Sequence, residues 1–136
     1  MKYEFEVPGK ITGKGRPRVN TITCTAYTPT KTKEYEDLVK QYFVIKYRGA
    51  KPLEGRIKIS IKAYFAIPKN TSKVQKQEML EGNLSPVKKP DIDNIAKIVL
   101  DSLNKLAFKD DNQITKLSIE KIYTEEEKVS VSIEEY

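Results

Sequence analysis

Arg56-Ile57-Lys58-Ile59-Ser60-Ile61-Lys62-Ala63-Tyr64-Phe65-Ala66-Ile67 sets an apolar side chain at every odd position and a mostly polar one between. Period-two alternation over this length marks a strand with one face in a core and the other in water. Tyr3, Phe5 and Val7 alternate with Lys2, Glu4 and Glu6 in the same way, before Pro8 and Gly9 break the pattern. Two more strands are predicted around Leu117 and Ile119 and around Val129, Val131 and Ile133, with Thr124-Glu125-Glu126-Glu127 as the hairpin connection between them.

A sheet with one dry face needs a cover. Tyr35, Leu38, Val39, Tyr42 and Phe43 recur at spacings of three and four, which predicts a helix over 31–48, entered through Thr28-Pro29-Thr30 and ended by Gly49 and Pro52. Ile92, Ile95, Ala96, Val99, Leu103 and Leu106 predict a second helix over 92–106, whose other face carries Asn94, Lys97, Asp101 and Lys105. Ser72 caps a short predicted helix over 73–81, stopped by Gly82-Asn83, within a loose and lysine-rich segment at 68–90. Gly13-Lys14-Gly15-Arg16-Pro17-Arg18-Val19-Asn20 reads as a basic loop, its glycines able to let backbone approach a phosphate. The expected architecture is α+β, a small mixed β-sheet packed mainly on one face by two principal helices, in a single domain spanning 1–136.

Composition narrows the chemistry. The chain has no histidine and one cysteine, Cys24, which removes Ser-His-Asp triads, Cys-His pairs, histidine-held zinc, internal disulfides and Cys-based metal clusters. Any hydrolytic base must then be carboxylate, lysine, tyrosine or metal-activated water. No apolar run approaches the roughly 20 residues of a membrane span and nothing resembles a signal peptide, so a cytoplasmic protein without a membrane partner is expected.

The net charge of +6 is uneven, with 19 Lys/Arg against 8 Asp/Glu in residues 1–90 and 6 against 11 in residues 91–136. Aspartates concentrate in Pro90-Asp91-Ile92-Asp93-Asn94-Ile95-Ala96-Lys97 and again at Asp110-Asp111. Carboxylates supply the hard oxygens that Mg²⁺ takes, and a basic surround holds a polyanion, so the pattern suits metal-dependent chemistry on a nucleic-acid phosphate. Each residue also has a plainer reading. Asp91 or Asp93 suits a helix cap, Asp110 and Asp111 suit a turn, and Lys97 lies four residues from both Asp93 and Asp101 in an ordinary ion-pair ladder.

Lys89-Pro90-Asp91-Ile92-Asp93-Asn94-Ile95-Ala96-Lys97, followed by Asp101, Leu103 and Asp110-Asp111-Asn112-Gln113-Ile114, resembles the signature of RusA-type Holliday junction resolvases. Gly15-Arg16-Pro17-Arg18 and Tyr27-Thr28-Pro29-Thr30-Lys31-Thr32 resemble that family's opening segment, so the likeness runs through most of the chain in order. The resemblance implies a homodimeric, Mg²⁺-dependent endonuclease, with Mn²⁺ as a substitute ion, that binds four-way DNA junctions and nicks two opposed strands in recombination and repair. Carried over by position, it implies Asp91, Asp93 and Asp111 as catalytic metal ligands and Lys97 as the catalytic lysine, with Asp110, Asn94 and Gln113 secondary, and the three ligands are expected to come from one subunit. Arg16, Arg18, Lys31, Lys33, Lys88 and Lys89 are the candidate DNA contacts. Pro90 stands where some relatives carry an aromatic wedge. A non-catalytic basic DNA-binding module, or a nuclease acting on flaps or duplex DNA, are the competing readings.

Overall fold

The computed structural model describes residues 1–13, 18–20, 22, 25–27 and 30–136, with backbone alone at 18–20 and 25–27. Ten elements follow in order, beginning with β1 (Lys2–Pro8), the short β2 (Arg18–Asn20) and β3 (Thr25–Tyr27), α1 (Thr30–Lys46) and β4 (Ile57–Ala66). After these come α2 (Lys73–Leu80), α3 (Ile92–Leu103), a 3₁₀ turn at Asp111–Gln113, β5 (Ile114–Thr124) and β6 (Lys128–Glu135). The main sheet has the order β1-β6-β4-β5, with β4 antiparallel to β6 and parallel to β5, and β2 pairs separately with β3. This is the α+β architecture with a mixed sheet that the alternation predicts.

Tyr3, Phe5 and Val7 of β1, the odd residues Ile57 to Phe65 of β4, and Val129, Val131 and Ile133 of β6 are all buried in one core cluster. Over them lie α1, through Tyr35, Val39 and Phe43, and α3, through Ile95, Ile98, Val99 and Leu103. Phe43 meets Tyr3 edge-on at 5.3 Å and Phe5 at 5.6 Å, which ties α1 to the sheet's edge. That edge is also closed by Tyr47, whose hydroxyl accepts from the Glu4 N–H at 2.9 Å and donates to the Glu4 carbonyl at 3.0 Å. A hydroxyl holding both backbone groups leaves that point of β1 unavailable to a further strand.

Three expectations are corrected. The segment Glu125-Glu126-Glu127 is not a hairpin turn, because β5 and β6 do not pair with each other but flank β4 on opposite sides. β4 carries the most regular apolar alternation and takes the centre, while β5, with Leu117 44% exposed, takes the edge. The three glutamates therefore bridge two strand spacings, about 10 Å. The helix predicted to reach 106 ends at Leu103, since Asn104 is extended and Lys105 turns left-handed at φ 68°. That turn sends Ala107 and Phe108 into the core, where Ala107 O accepts from Leu53 N at 2.9 Å. Part of the basic loop is the β2–β3 ribbon, with Arg18 opposite Tyr27. Cys24, Arg16 and the Thr28-Pro29 entry lie outside the described residues.

Because β4 and β5 are parallel, the chain between them must cross from one end of the sheet to the other, and this crossover carries α2, α3 and the aspartates. α2 keeps the predicted cap, Gln75 N donating to Ser72 Oγ at 3.3 Å, and buries no residue. α3 buries five. Truncating Phe43 to alanine is expected to lower the unfolding free energy by about 3–5 kcal/mol, whereas Tyr47→Phe should cost about 1 kcal/mol, both read by urea titration.

Candidate active site

Asp91 occupies the N-cap of α3 with extended backbone, yet its carboxylate makes no capping hydrogen bond. The plain structural use of that side chain is therefore not taken up. Asp93 follows in the first turn, where the helix dipole favours negative charge. Lys97 Nζ stands 4.0 Å from Asp93 Oδ2 with side chains 63% and 69% exposed, a contact worth only tenths of a kcal/mol. So weak a pair leaves both groups able to turn toward another partner.

The second acidic group forms at the other end of α3. Partial desolvation raises the carboxyl of Asp111, whose side chain stays exposed, above its ordinary range, and the negative charges of Asp101 and Asp110 push it the same way. Asp101, which the sequence assigns to a surface ladder, is thus a neighbour of Asp111. Gln113 fixes this turn, its Oε1 accepting from Asp110 N at 2.8 Å and its Nε2 donating to the carbonyls of Leu53 and Gly55, each at 2.8 Å. The turn that carries Asp111 is thereby tied to the Leu53–Gly55 segment. The eight residues from Asp93 to Asp101 span about 12 Å along a helix axis, so α3 separates the two carboxylate groups. Among the described residues, no three acidic, histidine or cysteine side chains converge on a common point able to hold a metal.

Beside Asp91 opens a cleft of about 650 Å³ lined by Lys10, Ile11, Thr12, Gly13, Lys31, Lys89, Pro90, Asp91 and Asn94. It brings Lys31, from the first turn of α1, and Lys89, two of the candidate DNA contacts, to one side of Asp91. Lys33 is exposed on α1 outside this lining. Lys88 lies over the Phe65 ring at 5.9 Å, and its carbonyl accepts from Lys121 Nζ at 2.6 Å. Arg16 is not among the described residues, and Arg18 is placed only by its backbone in β2.

Lys10 and Thr12 are the lining residues that sequence reasoning missed. No motif surrounds them. They enter the cleft because Ile11 is buried and anchors the chain there.

Two comparisons bear on this arrangement. The family model described as endodeoxyribonuclease RusA matches residues 8–134. The chain is also 35% identical over 139 residues to the uncharacterized protein YqaN of Bacillus subtilis (strain 168), covering 97% of this chain and 95% of that one.

A carboxyl raised on folding destabilises the protein once the pH exceeds its unfolded value, because the unfolded chain ionises more readily. In metal-free buffer Asp111→Asn is therefore expected to raise the melting temperature at neutral pH, with the gain vanishing below about pH 4. Calorimetry across that range checks both the sign and the window.

Proposed function

The chain belongs to the RusA endodeoxyribonuclease family, and on that footing we propose that it is a Mg²⁺-dependent enzyme that resolves four-way DNA junctions by paired nicking in recombination and repair. The observation carrying this reading is Asp91, unused as a cap, on the wall of a cleft lined also by Lys10, Lys31 and Lys89, with Asp93 following it in the first turn of α3. Cations there accept the phosphate backbone without regard to sequence, while Asp91 stands on the same wall.

The donor set fits a hard cation. Mg²⁺ binds through one or two carboxylates from a given segment, waters and substrate phosphates rather than through a complete protein cage, so Asp91 and Asp93 would supply part of its shell beside DNA. Bound there, it supplies Lewis acidity toward the phosphoryl oxygens and acidifies water, the activation that a histidine-free chain must find somewhere. Lys97, one helical turn from Asp93, contributes positive charge where the phosphoryl oxygens gain negative charge. Lys10, Lys31 and Lys89 hold the flanking backbone in place for attack.

Asp111 belongs to the same reaction in this proposal, but α3 holds it away from Asp91 and Asp93 of its own chain. The homodimer resolves this. A second copy offers its Asp111 end to the first copy's Asp91–Asp93 end, and a two-fold arrangement then presents one complete site to each of two opposed strands.

Junction nicking by Asp91→Asn or Asp93→Asn is expected to fall about a hundredfold or more, roughly 2.7 kcal/mol of barrier, with junction binding kept. Unchanged nicking by either variant removes that residue from the site, and equal cutting of linear duplex reassigns the substrate. Sharing between subunits has its own test. Neither Asp91→Asn nor Asp111→Asn homodimers should nick, whereas mixed dimers of the two should regain one intact site and make single nicks. Mixed dimers as inactive as their parents would return all three carboxylates to one subunit.

A further inference from the structure

Gly9, Gly49 and Gly82 have positive φ and open space where a side chain would stand, so they are glycines of turns. Gly13 is of another kind. A Cβ placed on it would lie 2.6 Å from Pro90 Cβ, 3.2 Å from Asn94 Cβ and 3.6 Å from Pro90 Cγ. Non-bonded carbons settle at about 3.5–4.0 Å, so the first two contacts leave no room for a methyl group. Neither neighbour is the loose end of a long side chain. Pro90 Cβ belongs to a ring, and Asn94 Cβ is attached directly to the backbone of α3.

The chain carrying Gly13 is held from behind. Gly9 N donates to Glu127 O at 3.0 Å, and Ile11 is only 4% exposed within the core. The residues it touches bracket the carboxylates, Pro90 directly before Asp91 and Asn94 directly after Asp93. The same short segment supplies Lys10 and Thr12 to the cleft. This close approach therefore sets the spacing between the Lys10–Gly13 wall of the cleft and the residues that flank Asp91 and Asp93.

We infer that Gly13 is a positioning residue of the nuclease site, its missing side chain letting the cleft wall seat directly against Pro90 and Asn94 and fix Asp91 and Asp93 relative to a bound phosphate. This rests on the function proposed above. A methyl group at this point shifts the carboxylates relative to the cleft wall without removing any of its cations. Displacements of about 1 Å cost reactions on the order of a hundredfold.

The experiment compares wild type, Gly13→Ala, Pro90→Gly, the double variant and Asp91→Asn. The expected result for Gly13→Ala is a loss of kcat for junction nicking of about thirtyfold or more, with KM and junction affinity in EDTA changed by less than about threefold. Weaker Mn²⁺ binding by the DNA-free protein, read by electron paramagnetic resonance, should accompany it. Adding Gly13→Ala to Pro90→Gly should cost much less than adding it to wild type, because the closest opposing atom is gone. Full kcat in Gly13→Ala while Asp91→Asn is inactive overturns this inference alone. So does a parallel fall of melting temperature, junction affinity and kcat, or strict additivity in the double variant. A wild type that does not nick, or an Asp91→Asn as active as wild type, overturns the proposed function together with it.

Discussion

The burial of one face of α3 against the sheet is the contact on which the rest of the molecule depends. Ile95, Ile98, Val99 and Leu103 are wholly inaccessible, and each such side chain contributes about 1.5–3 kcal/mol over exposure. Ser102 shares the buried face because its hydroxyl donates to the Ile98 carbonyl. With that face fixed, the opposite stripe of Asp93, Lys97 and Asp101 is set facing solvent, and the aspartates at each end of α3 are set apart. The helix acts as a spacer as much as a cover.

Around this spacer, exposed ion pairs hold little and geometry holds much. The Asp93–Lys97 contact is long and solvated. The parts that do constrain the site are mostly backbone and small groups, such as Gln113 gripping the carbonyls of Leu53 and Gly55, and Gly13 lying against Pro90. This division suits the proposed role of a surface that receives a polyanion. Charges left unpaired are available to a ligand, and uncharged contacts keep them at fixed positions.

Much of the fold was legible in the chain because its strands and helices are strongly periodic. Tyr3-Phe5-Val7, the odd positions of 57–65 and the apolar stripe of α3 could be buried in only one way. The bounds of α2 and its cap at Ser72 were readable from local chemistry alone. Strand order was not, because pairing partners are chosen by competition for the central place. Three glutamates between two strands look the same whether they close a hairpin or step across β4. The end of α3 was misread for a related reason, since Leu106 continues the helical spacing while the burial of Phe108 stops the helix.

The candidate site divides along the same line. Sequence by itself excluded histidine-based catalysis and Cys-based metal clusters, because the chain has no histidine and one cysteine. It also determined membership of the RusA family, whose model spans residues 8–134. Tertiary structure alone decided that Asp91 is unused as a cap, that Asp101 stands near Asp111, and that Lys10 and Thr12 reach the cleft. The physical reason is one of range. Periodicity and charge are local properties that a sequence states outright, whereas proximity between segments far apart in the chain exists only once a shared core has closed between them.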